Sequence, residues 1–136
     1  MNLNKLMLAA LVATFSCAVA VTAAETKLPP ASDKKDVTYA TDIKPIFDAN
    51  CAKCHSGDRA KAKLHMDTLE GVLKGTKAGK IVTVGDSANS LIVKSIAHAS
   101  EEKDEWMPPM PNKAGAKTLT PAEVGLVRAW IDQGAK

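Results

Sequence analysis

Cys51-Ala52-Lys53-Cys54-His55 constrains this chain more than any other feature of it. Two thiols on one turn, with an imidazole directly after the second, have few chemical uses. They can each add to a vinyl group of a haem while the histidine reaches the iron. They can form a reversible dithiol pair, or supply half of a zinc site. A dithiol pair of the thioredoxin kind wants a strand-helix-strand context, which the residues around the motif do not offer. A zinc site wants two further ligands at similar spacing, whereas His65 and His98 stand apart from any second Cys pair. The motif therefore predicts one covalently attached haem c, with Cys51 and Cys54 as the thioether positions and His55 as the proximal iron ligand.

The first stretch supports an oxidising destination. Met1 to Ala24 carries one positive residue, Lys5, then a run of Leu, Ala and Val, then the small residues Ala18-Val19-Ala20 and Thr22-Ala23-Ala24. That order predicts a cleaved signal peptide over residues 1–24 and a periplasmic location. A retained membrane anchor is the competing reading, but Thr14, Ser16 and Cys17 interrupt the apolar run. Lipidation of Cys17 is weakened by Thr14-Phe15-Ser16, a poor approach to such a site. Membrane contact is thus expected only through an uncleaved or lipidated N-terminus. Without the leader, Cys51 and Cys54 are the remaining cysteines, in a compartment where free thiols oxidise readily.

Charge excludes one function class. The chain holds 18 basic and 15 acidic residues among its 136, interspersed instead of gathered in a stripe, so no nucleic-acid surface is expected. Aromatic residues make up only 4% of the chain, which is thin for a domain that must offset its ordering entropy by burial. A buried porphyrin would supply the missing apolar bulk.

The rest of the chain reads as short helices joined by long loops. Glu25 to Asp36 is polar, contains Pro29-Pro30 and shows no apolar period, so residues 25–37 are expected to be a flexible or extended tether ahead of a domain over 38–136. Tyr39, Ile43, Ile46 and Phe47 fall on one face of a helix running into Cys51, with Pro45 tolerable only near its first turn. A second helix is expected over Asp67 to Lys74, capped by Asp67 or Thr68 and stopped by Gly75. Ile81-Val82-Thr83-Val84 is β-branched but has no partner strand, and reads as an extended loop packed on the cofactor. Ser87 to Ala99 predicts a third helix capped by Ser87 or Ser90. The fourth is the clearest, with Thr120 as N-cap, Pro121 at the first helical position, Glu123 completing a capping box, and a stop at Gly134. The fold class expected is all-α, about four short helices around one haem. Loops this long want something central to organise them.

A haem bound by His55 needs a decision about its sixth position, since a thioether there closes the iron and raises its potential, whereas an open position allows ligand or peroxide chemistry. The candidates are Met107, Met110, Met66, His65 and His98. Trp106-Met107-Pro108-Pro109-Met110-Pro111 is a proline-stiffened loop suited to holding a soft sulfur, and Met107 is preferred, with Met110 as the alternative. Met66 is expected to be packing, and the two histidines to be solvated or at the edge of the core.

From Tyr39 to Ala135 the chain resembles the planctomycete-type cytochrome c domain, a branch of the class I cytochrome c fold. The resemblance rests on Asp42-Ile43-Lys44-Pro45-Ile46 before the haem motif, Leu64-His65-Met66-Asp67 and a Gly-rich loop after it, and Val84-Gly85-Asp86-Ser87 with Ser90-Leu91-Ile92. It continues through Met107-Pro108-Pro109, Leu119-Thr120-Pro121 and Trp130-Ile131-Asp132-Gln133-Gly134-Ala135. It implies His/Met ligation with Met107 as the distal ligand, and single-electron transfer between Fe(II) and Fe(III) with no substrate chemistry. Ser56 stands where such domains usually have Gly, and His65-Met66 replaces a commoner Arg-Leu, so a propionate-pairing role is not carried over to that site. Arg59, Trp106 and Trp130 are further candidates for propionate or haem-wall contacts.

Three readings of function remain at this point: a free monohaem electron carrier docking transiently on a redox partner protein, a haem-bearing acceptor subunit of a periplasmic dehydrogenase, and a five-coordinate haem sensor or peroxidase. Donor, acceptor and oligomeric state leave no mark in the residues.

Overall fold

The computed structural model describes residues 28–136. The expected signal peptide, Cys17 and the first residues of the expected tether lie outside them.

Two stretches of helix precede the cysteine motif. Thr38 opens a wide π-helical turn over Tyr39–Ile43, with its hydroxyl accepting from the Thr41 N–H and its own N–H donating to the Asp42 carboxylate at 3.0 Å. Lys34 and the Thr38 N–H together hold the Asp42 carboxyl below the ordinary range, at about 2. The chain then runs without a break into α1, Lys44–Asn50, with Pro45 in the first turn where its missing N–H costs nothing. Tyr39, Ile43 and Phe47 come to one buried face, and Ile46 lies half-buried beside them. Cys51 caps the end of α1 with its N–H donating to the Phe47 carbonyl at 2.7 Å. The wide turn departs from the single regular helix expected there, although the same residues are buried.

The second helix, α2, spans Leu69–Lys74. Thr68 is its N-cap, its hydroxyl accepting from the Gly71 N–H at 3.1 Å, and Gly75 ends it at φ 83°, a conformation glycine takes at little cost. The third helix, α3, is shorter than its sequence suggests, covering Leu91–Ile96 only. Ser87 cannot start it because its N–H and hydroxyl are both committed to the Asp132 carboxylate, at 2.8 and 2.9 Å. Asp86 accepts from the Asn89 N–H at 3.1 Å, which makes residues 86–89 a turn. Ser90 then acts as N-cap by position, but its hydroxyl is spent on Thr83 and Asp86 instead of the helix. His98, at φ 52°, turns the chain away beyond the last turn.

The fourth helix, α4, spans Pro121–Asp132 with the full capping box: the Thr120 hydroxyl accepts from the Glu123 N–H, and the Glu123 carboxylate accepts from the Thr120 N–H at 2.7 Å. Its buried face carries Val124, Val127, Trp130 and Ile131. Trp130 lies 5.9 Å from Tyr39, ring centre to ring centre, and the indole N–H and the Tyr39 backbone N–H both donate to the Lys136 carbonyl. The start of the helical region is thereby tied to the end of the chain. No β-strand occurs among the described residues, where one isolated bridge joins Thr76 and Gly79.

Residues 28–37 are docked, not free. Leu28 packs against the core and Val37 is buried. The Ser32 N–H donates to the Gly125 carbonyl at 2.9 Å, Arg128 reaches the Pro29 carbonyl, and Gln133 bridges the Lys34 carbonyl and the Val37 N–H. A β-carbon on Gly125 would stand 2.6 Å from the Pro30 oxygen, so this close approach requires glycine at that position of α4.

Candidate haem site

The end of α1, the loop after it, α3 and the proline loop enclose a cavity of about 700 Å³. That is the size of a site for a large flat cofactor, within the range of about 300–1,000 Å³ typical of ligand sites. Cys51, Cys54, His55 and Met107 all line it, although 56 residues of sequence separate the first from the last. Its walls are mainly apolar, with Leu64, Met66, Ile81, Ile92, Ile96 and Pro108 among them.

The cysteine turn is built by backbone bonding. The Cys54 and His55 N–H groups both donate to the Cys51 carbonyl, at 3.1 and 3.0 Å, which puts both thiols and the imidazole on one turn. The Lys61 N–H returns to the Cys54 carbonyl at 2.9 Å. His55 Nδ1 lies 3.1 Å from the Lys61 carbonyl oxygen; a carbonyl only accepts, so Nδ1 carries the proton and Nε2 keeps its lone pair. Burial pushes the His55 pKa down, against a smaller opposite effect of that hydrogen bond, and the neutral ring is the form that binds metal.

The Cys51 thiol does not have the character of a redox-active one. Burial, with Cys54 adding to it, pushes the Cys51 thiol up to about 12, whereas reactive dithiols depend on a lowered pKa. Nor do the two cysteines join a zinc site, since no group of three or more His, Cys, Asp or Glu residues is placed to hold a metal ion among the described residues. Two unpaired thiols, a neutral imidazole with a free Nε2 and an apolar cavity are the donor set and volume that haem c requires.

The other candidates separate clearly. Met107 is half-buried on the cavity wall, held by its N–H donating to the Ser95 carbonyl at 3.0 Å. Met110 is 61% exposed and does not line the cavity. Its sulfur is 3.4 Å from the Asn112 side-chain amide instead. Met66, expected to be packing, is buried and also lines the cavity; its N–H donates to the His55 carbonyl at 2.7 Å and its carbonyl accepts from the Tyr39 hydroxyl at 2.8 Å. His65 and His98 lie off the cavity wall. His98 stacks on Trp106 at 5.0 Å, and the Trp106 indole N–H donates to the Ser100 carbonyl. Arg59 is exposed, and neither it nor Trp106 nor Trp130 lines the cavity; Trp130 is a core aromatic. The charged and amide side chains on the wall are instead Asn50, Lys61, Asp104, Glu105, Asn112 and Lys113. Nothing in their local sequence marks them, because loops distant in the chain bring them together. Of the expected loop on the cofactor, Ile81 is on the wall, Val82 is buried in the core, and Val84 points to solvent at 57% exposure.

Residues 51–111 match the family model described as Planctomycete cytochrome C, a span that begins at the first cysteine and ends at the last proline of the Met107 loop. No curated protein matches the chain. Among solved structures, a chain of hydrazine synthase from Kuenenia stuttgartiensis aligns at 25% identity with a TM-score of 0.49, over 73% of this chain and 16% of that one. The present chain thus spans a small part of that protein's length. The matched span takes in the cysteine turn and the proline loop, so over these residues the chain is similar to planctomycete-type cytochrome c domains, in keeping with the all-helical fold and a haem c site.

Proposed function

We propose that this chain is an exported monohaem electron carrier, with one haem c joined to Cys51 and Cys54, His55 as proximal ligand and Met107 as distal ligand. The observation that carries this reading is the shared cavity: the cysteines, the imidazole and the Met107 residue face one apolar space, and Met110 does not. Bound there, the haem supplies a one-electron Fe(II)/Fe(III) couple. The protein's part is to hold it. Cys51 and Cys54 anchor it, the Lys61 carbonyl orients the His55 ring, and Pro108 and Pro109 stiffen the loop behind Met107. The apolar wall excludes water and so disfavours the more highly charged oxidised state, which together with a thioether ligand raises the potential. Export is supported by the leader-like order of residues 1–24.

Spectra of three proteins test the ligation. The parent is expected to show a six-coordinate ferrous haem that binds carbon monoxide poorly, Met110→Ala to match it, and Met107→Ala to bind carbon monoxide readily. A parent that already binds carbon monoxide, with a spectrum indifferent to Met107→Ala, contradicts the His/Met assignment and returns the sensor or peroxidase reading.

A further inference from the structure

A second, smaller cavity of about 340 Å³ is lined by Lys63, His65, Lys74, Gly75, Thr76 and Lys77. Thr76 lines both cavities. No acidic side chain lines the smaller one, and none of its three lysines forms an ion pair among the described residues. His65 Nδ1 has a carboxylate oxygen of Asp67 at 4.0 Å.

The lysines come from three separate pieces of backbone that the fold clamps together. Lys63 follows Ala62, and both are in the left-handed region, at φ 57° and 55°. Lys74 ends α2, and Lys77 sits in the turn closed by Thr76 and Gly79. The Lys77 N–H donates to the Ala62 carbonyl at 3.3 Å, locking the first and third pieces against each other. A β-carbon on Gly71 would stand 2.6 Å from the His65 β-carbon, so the absence of that atom lets α2 close over His65. Lys74 also complements the C-terminal end of α2, which explains one of the lysines and not the other two. Gathering like charges around one concavity is unfavourable unless a counter-charge fills it.

We infer that the pocket of Lys63, His65, Lys74 and Lys77 binds a phosphate-type oxyanion. Three lysines and an imidazole line the space, and a doubly charged tetrahedral anion can accept from several such donors at once. A volume of about 340 Å³ equals on the order of ten water molecules, so the anion has room for a small organic substituent or a partial hydration shell. A free phosphate and a lipid headgroup share this chemistry.

The test titrates inorganic phosphate into the full matured protein at constant ionic strength, following backbone amide shifts of residues 62–77. Saturable one-to-one binding is expected, weakened by about tenfold or more in Lys63→Gln with Lys77→Gln, and little changed in Lys80→Gln, whose side chain lies outside the pocket. Vesicles of phosphatidylglycerol form the second arm: binding to both identifies the headgroup as a source, and binding to phosphate alone identifies the free anion. Shifts that grow linearly without saturating, or an equal loss in Lys80→Gln, show diffuse charge screening and overturn the site, as does binding to vesicles alone.

Discussion

His55 is bonded to Lys61 through its ring, the Nδ1–H donating to the Lys61 carbonyl at 3.1 Å, and the Lys61 N–H in turn donates to the carbonyl of the preceding Cys54 at 2.9 Å. The loop between them therefore closes on the cysteine turn and fixes the ring's tautomer and direction through backbone alone. Such an outer partner is what sets a ligating imidazole's orientation in metal sites. No side-chain substitution at Lys61 removes that carbonyl, which makes the arrangement tolerant of sequence change at this position.

The cavity makes stability depend on its contents. Empty space in a core costs about 24 cal/mol per Å³, so some 700 Å³ left unfilled costs up to about 17 kcal/mol, comparable with the roughly 5–15 kcal/mol by which a domain is stable. Replacing Cys51 and Cys54 together by Ser, which blocks attachment, is expected to leave the chain largely unfolded, with weak far-ultraviolet circular dichroism and no cooperative thermal transition. A cooperative transition near that of the parent, with no haem bound, would show that the helices hold the cavity open unaided.

How far the sequence spoke depended on whether a feature was local. The cysteine turn, the cap of α2 at Thr68 and the capping box of α4 are each contained in a few consecutive residues, and each was legible. The proline-stiffened loop was legible too, and of its two methionines Met107 stands on the cavity wall and Met110 does not. Long-range commitments were not legible. Nothing near Ser87 says that Asp132 will claim it, 45 positions later, and shorten α3. Nothing in Pro29-Pro30 says that Gly125 and Arg128 will dock it, and polar composition alone points to a flexible or extended tether. The acceptor for His55 and the lysine-lined pocket also exist only once the chain has folded back.

Tyr39 gives a pH signature. Burial, then the Asp48 and Asp67 carboxylates, push its pKa up to about 12, and its hydroxyl donates to the Met66 carbonyl at 2.8 Å. Between the ordinary value near 10 and that raised value, the unfolded chain has lost the proton and the folded chain has kept it, so stability falls as pH rises through this window. Tyr39→Phe is expected to cost about 1–3 kcal/mol at neutral pH by leaving a buried carbonyl unpaired. It is also expected to lack this tyrosine's share of the alkaline loss, read from denaturant melts between pH 9 and 12. Identical alkaline limbs in the two proteins would remove Tyr39 as the cause.

Gly125 sets up a test of opposite signs. In an ordinary helix interior, Gly→Ala stabilises by about 0.5–1 kcal/mol. Here the added β-carbon collides with the Pro30 carbonyl, so Gly125→Ala is expected to destabilise by about 1–3 kcal/mol and to speed hydrogen exchange at the Ser32 amide, which donates to the Gly125 carbonyl. A stabilised variant with the Ser32 amide still protected would mean that residues 28–32 do not rest on α4.

The central claim is a haem bonded through sulfur to Cys51 and Cys54, and extraction of the purified, matured protein with acidified acetone tests it most directly. The account predicts that the colour stays with the precipitated chain and that the intact mass exceeds the polypeptide's by one haem. A colourless protein, or pigment released into the acetone with a chain of unmodified mass, would contradict it.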